Sequence, residues 1–169
     1  MDWILARGPA WLTLFGFFAA AFGAGATGAL FKPGAWYRLL SKPAWTPPDW
    51  LFPVAWTILY VAMSIAVWWV SLSFSPWALA AVALWCWQIV MNALWSPVFF
   101  GLRRLDSAFA VIVALWIAVA STTAMFFVVS PFSGWLMVPY LVWVSYAGAL
   151  NLSLWRRNGG APDLGAVPA

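Results

Sequence analysis

The chain contains no histidine and no glutamate. It therefore lacks the commonest metal and haem ligand and the usual general base near neutral pH. Its acidic side chains are Asp2, Asp49, Asp106 and Asp163, all outside or at the ends of the apolar runs. Proton- and sodium-coupled carriers keep an ionisable group inside the membrane, so ion coupling is disfavoured. The single Cys86 cannot close an internal disulfide and, within an apolar run, reads as inert packing. Charged residues make up 7% of the chain, against about a quarter in a soluble domain. The net charge of +4 comes from basic loop residues, with no patch suited to nucleic acid.

What remains is apolar. Of 169 residues 66% are hydrophobic, and the mean hydropathy is +0.91. A bilayer crossing takes about 20 apolar residues, and five such runs occur: 10–31, 48–70, 76–100, 105–129 and 133–155. The connections 71–75, 101–104 and 130–132 are short, which makes consecutive helices antiparallel neighbours. The expectation is an all-α membrane protein, one domain over 1–157 built as a bundle of five transmembrane helices. A tail at 158–169, rich in Gly, Pro and Ala, is expected to be disordered.

Lys32, Arg38, Lys42, Arg103, Arg104, Arg156 and Arg157 fall on one side of these spans, and Arg7 on the other. The positive-inside rule then places the C-terminus in the cytoplasm and the N-terminus outside. The bacterial cytoplasmic membrane is the expected location, with an outer membrane as the alternative. The first run exceeds the 7–15 or so residues of a signal-peptide core and is read as a retained span. Gly16, Ala20, Ala24 and Gly28 recur on it at every fourth position. Such a ridge permits close helix approach, either within the chain or between two copies.

Between the first two spans the character changes. Pro33, Pro43, Pro47 and Pro48 alternate with Trp36, Trp45 and Trp50, and with Lys32, Arg38 and Lys42. Proline removes a backbone donor and disfavours helix in the residue before it. The segment is therefore expected to form a structured cap over helix ends, with Pro47-Pro48 opening the second span.

Three later stripes point under that cap. Phe52, Trp56 and Tyr60 share one helix face, as do Gln88, Asn92 and Trp95, and Trp143, Ala147 and Leu150/Asn151. At about 1.5 Å per residue, Trp56, Asn92 and Ala147 all lie roughly 12 Å below the loop-side ends. A cavity lined this way suits a large, flat, mostly apolar ligand. Indoles would stack on it, and Asn92, Gln88 and Tyr60 would fix its orientation. The same spacing also suits core packing, and both amides also suit interhelical hydrogen bonds. Trp11, Trp77 and Trp135, at the opposite ends, read as interfacial belt residues among the 16 tryptophans.

The motifs carry a family resemblance. Trp36-Tyr37, Lys42-Pro43-x-Trp45-x-Pro47-Pro48 and Phe52-Pro53-x-Ala55-Trp56-x-x-x-Tyr60 resemble the signature of the TspO/MBR family. Gln88-x-x-x-Asn92-x-Leu94-Trp95-Ser96-Pro97 and Pro139-Tyr140-Leu141-x-Trp143 continue it. These are the tryptophan-rich sensory proteins, translocator proteins or peripheral-type benzodiazepine receptors. The resemblance implies a five-helix membrane protein, often a homodimer, that needs no cofactor. It implies binding of porphyrins such as protoporphyrin IX and haem, with sterols and benzodiazepines as further ligands. The family's pocket positions fall on Trp36, Trp45, Phe52, Trp56, Tyr60, Asn92, Trp95, Trp143 and Ala147. It further implies light- and oxygen-dependent porphyrin breakdown involving Trp56 and Trp143. Passive transfer of porphyrin or lipid is the alternative activity. The family's cholesterol motif wants an aromatic residue where this chain has Leu152, which favours a bacterial-type role.

Overall fold

In the computed structural model, residues 10–31 and 33–162 are described. The expectations for Asp2, Arg7, Lys32 and Asp163 lie outside the described residues. The helices are α1 (Ala10–Leu30), α2 (Ala35–Leu39), α3 (Leu51–Ser71), α4 (Ala78–Ser96), α5 (Leu105–Val129) and α6 (Pro131–Asn158). All but α2 are long and apolar enough to cross a bilayer. The chain is an all-α, multi-pass membrane protein, with no strand among the described residues.

The helices close into a ring in the order α1, α3, α6, α5, α4, with α5 and α6 the most extensively packed pair. In lipid, helix association rests on close packing rather than on escape from water, and small residues mark the tight crossings. Ala21, Ala66 and Ala81 are fully buried in the main core with Met63, Val67, Trp85 and Phe126. At the start of α6, a Cβ on Gly134 would run into the Phe127 ring. Gly134→Val should therefore lower the thermal unfolding midpoint in detergent, by the equivalent of about 1–3 kcal/mol. An unchanged midpoint would contradict this packing.

Three prolines shape the loop end of the bundle. Pro97 has no N–H to give the preceding turn, and α4 continues as a wider π turn over Pro97–Gly101. Leu102 N–H there bonds the Pro97 carbonyl at 2.9 Å, and the turn buries Phe99. Pro47-Pro48 does not open the second span. α3 begins at Leu51, after a turn in which Leu51 N–H bonds the Pro48 carbonyl at 3.0 Å.

The loop and the C-terminal segment hold each other. Trp36, Tyr37 and Leu40 are buried with Phe99, Leu105, Leu150 and Leu154 at the loop end of the bundle. Ser41 N–H donates to Asn158 Oδ1 at 2.8 Å, and Asn158 Nδ2 donates to the Ser41 carbonyl at 3.0 Å. Gly159, at a φ of 78°, turns the chain back. The Gly160 carbonyl then accepts from Leu105 N–H at 2.7 Å, and the Pro162 carbonyl from Trp36 Nε1 at 3.4 Å. The start of the expected tail is thus tied down, because it supplies acceptors that the first turn of α5 needs. The remainder of that tail, 163–169, lies outside the described residues.

The small-residue ridge of α1 does not form one outward face. Gly16, Ala20 and Gly28 are exposed and Ala24 is buried, and a Cβ on Gly28 would sit 3.6 Å from Ser96 Oγ of α4. A step of four residues overshoots the 3.6-residue turn, so the row winds around α1 toward the cavity, which Ala24 and Gly28 line.

Candidate functional site

Between the loop cap and the main core lies a cavity of about 630 Å³, inside the range of about 300–1,000 Å³ usual for small-molecule sites. α3 supplies Phe52, Trp56 and Tyr60 to its wall, α4 Asn92, Trp95 and Phe99, and α6 Trp143 and Ala147. Residues from all three stripes thus line one cavity. Trp56 stacks on Tyr60 with ring centroids 5.3 Å apart and meets Trp143 edge-on at 6.5 Å. Phe52 meets Trp143 edge-on at 5.9 Å, and Trp95 stacks on Phe99 at 4.8 Å. The aromatic planes hold one another through edge and offset contacts.

The floor is polar and satisfied. Tyr60 O–H donates to Asn92 Oδ1 at 2.9 Å, and Asn92 Nδ2 donates to Tyr140 Oη at 2.9 Å. Tyr140 O–H donates to Gln88 Oε1, also at 2.9 Å. This chain ties α3, α4 and α6 together, and it contains both interhelical bonding and, at Asn92, a cavity-facing amide. Asn92 keeps one N–H and one lone pair beyond these bonds. Trp95 Nε1 donates to Asn151 Oδ1 at 3.2 Å, whereas the Trp143 indole N–H is buried without a partner among the described residues.

At the loop side, Tyr37, Pro33 and Asp49 complete the lining. Burial, then the Asp49 carboxylate, then Tyr146 push the Tyr37 phenol up to about 12, so it stays neutral at physiological pH. Lys42 Nζ lies 4.1 Å over the Tyr37 ring, a cation–π contact at the cap surface. Among the described residues no group of His, Cys, Asp or Glu could hold a metal ion.

Residues 10–156 match the TspO/MBR family profile. The chain belongs to the TspO/MBR family. It is 51% identical over 152 residues to Protein CrtK of Rhodobacter capsulatus, covering 88% of this chain and 95% of that one. It is 46% identical over 165 residues to Tryptophan-rich sensory protein of Cereibacter sphaeroides, covering 96% and 97%. It is 35% identical over 158 residues to Translocator protein of Homo sapiens, covering 90% and 94%.

The TspO/MBR motifs fall unevenly around the cavity. Phe52, Trp56, Tyr60, Asn92, Trp95, Trp143 and Ala147 line it, and Trp36, Trp45 and Gln88 do not. Trp36 turns onto Phe99 at a centroid distance of 6.1 Å and leaves the cavity roof to its neighbour Tyr37. Trp45 is 48% exposed and packs edge-on against Tyr146, whose hydroxyl donates to the Trp45 carbonyl at 2.7 Å. Gln88, one turn deeper than Asn92, is fully buried beneath the floor and holds Tyr140. Spacing had not singled out Tyr140 as a site residue, although it lies three residues before Trp143 and seven before Ala147, on their face.

Proposed function

We propose that this TspO/MBR protein binds a tetrapyrrole of the protoporphyrin IX or haem class in the cavity under the loop and acts as a porphyrin sensor or regulator. The observation that carries the reading is the cavity wall itself. Trp56, Trp95, Trp143, Phe52 and Phe99 surround a volume of about 630 Å³, and Asn92 stands as a fixed amide at its floor. Such a site favours a flat, extended, mostly apolar ring over a compact polar solute. With no histidine in the chain, a haem iron would find no imidazole ligand. Titration with protoporphyrin IX should quench tryptophan fluorescence saturably. Quenching unchanged by Trp143→Phe combined with Asn92→Ala would remove the assignment.

A second reading is supported by the edge-on pair Trp56 and Trp143, 6.5 Å apart on the cavity wall. Two oxidisable indoles beside a bound photosensitiser suit light- and oxygen-dependent breakdown of the ring. Under light and air, porphyrin absorbance should fall, and either Trp56→Phe or Trp143→Phe should abolish the loss. Equal loss in both variants, or in detergent alone, would leave binding without the chemistry. The charge bias of Arg38, Lys42, Arg103, Arg104, Arg156 and Arg157 supports a cytoplasmic loop side. The exposed Gly16 and Ala20 on α1 support association of two copies through that helix.

A further inference from the structure

The cavity is partly roofed toward the loop and opens to the side. Tyr37, the roof residue, is only 5% exposed, and the Ser41–Asn158 clasp ties the cap to α6. An axial path would require breaking both.

The lateral path differs. α1 and α3 meet along the half of the bundle far from the loop. Trp68 Nε1 donates to the Ala10 carbonyl at 2.8 Å, Ser64 Oγ to that of Phe17 at 3.5 Å, and Gly25 lies against the Tyr60 ring. Beyond Tyr60 the two helices face the cavity instead of each other, and α1 leans on α4, where Gly28 approaches Ser96. The cleft so formed has exposed Ala26 and Ala29 on one lip and exposed Pro53 and Thr57 on the other, all four lining the cavity. In a multi-pass membrane protein this opening faces acyl chains. Asp49 stands at its loop-side corner, exposed and lining the cavity, with no ion-pair partner among the described residues. It is the only acidic or basic side chain among the described lining residues.

We infer that the cavity is loaded sideways from the bilayer through the cleft between α1 and α3, and that Asp49 sorts the entering amphipaths, favouring cationic over anionic head groups. An exposed carboxylate beside low-dielectric helix walls focuses its field into the opening. An amphipath carrying carboxylates enters with its apolar edge leading.

The test needs no porphyrin. In Cys86→Ala protein reconstituted into liposomes, Ala147→Cys places one thiol on the cavity wall. It is labelled with two maleimides on the same alkyl chain, one ending in a quaternary ammonium and one in a sulfonate. Protein retaining only the exposed Cys86 reports the reactivity of each reagent in the bilayer, and rates are divided by it. Thr57→Trp and, separately, Ala29→Phe alter exposed lips of the cleft and should each slow cavity labelling by an order of magnitude. Asn158→Ala, which releases the clasp, should leave it unchanged. The ammonium reagent should label about tenfold faster than the sulfonate, and Asp49→Asn should abolish that ratio. Labelling by a short, water-confined sulfonate maleimide at the same rate, or acceleration in Asn158→Ala with no effect of the lip variants, overturns the lateral route. A charge ratio that survives Asp49→Asn overturns the sorting.

Discussion

Trp56→Ala should weaken protoporphyrin IX binding by roughly 70-fold, about 2.5 kcal/mol. The magnitude follows from area. A tryptophan side chain buries about 150–250 Å² when enclosed, and a ligand ring covering one indole face and edge would bury roughly 100 Å² of it. At about 25 cal/mol per Å² this gives the stated loss. Trp56 also stacks on Tyr60 and meets Tyr140 edge-on at 6.0 Å and Trp143 at 6.5 Å, so truncation also loosens the remaining aromatic wall. Trp56→Phe keeps a ring in the stack and should lose less. Fluorescence titration of both variants checks the order. Equal affinities in wild type, Phe and Ala proteins would place the ligand elsewhere.

The spans were legible because length and apolarity dominate a membrane chain. The run expected at 105–129 is α5 to the residue, and 10–31 differs from α1 by one position. α6 runs three residues past the expected end, to Asn158, and two discrepancies at helix starts come from proline. Pro131 fits the first helical position, where its missing N–H has no intrahelical role. It lets α6 start two residues before the expected 133, behind Ser130, whose hydroxyl accepts from Ser133 N–H. Pro48 instead opens the turn before α3, its carbonyl accepting from Leu51 N–H.

The seven wall residues on α3, α4 and α6 were legible for a related reason. A long helix fixes its own rotation, so residues at three- and four-residue spacing stay on one face. The loop offered no such ruler. Consecutive residues of a helix point about 100° apart, and α2 has only five residues. Which of Trp36 and Tyr37 faces the cavity is then decided by where Phe99 and Phe100 stand, and the π turn after Pro97 sets those positions. Trp45 leaves the site for an equally tertiary reason, an acceptor for the Tyr146 hydroxyl. Gln88 shares the face of Asn92, but one turn of depth separates a cavity floor from the packing beneath it.

That floor carries the second large effect. Asn92→Leu should destabilise the bundle by about 1–3 kcal/mol, since it strands hydroxyls in an apolar interior. Tyr60 loses its acceptor and Tyr140 loses the donor that now fills its oxygen, while Tyr140 keeps its own bond to Gln88. Interhelical hydrogen bonds in membranes have measured values nearer about 0.6–1.7 kcal/mol each, so losing two falls in the same range. Leu fills most of the amide's volume, which limits any cavity contribution. The change should lower the thermal unfolding midpoint in detergent, and Tyr60→Phe should cost less because Asn92 keeps Tyr140. Combined, Tyr60→Phe and Asn92→Leu should cost less than the sum of the single changes, because each removes the same Tyr60–Asn92 bond. Strict additivity would mean that the two side chains are energetically independent, and the floor would then be a set of separate contacts rather than one chain across three helices.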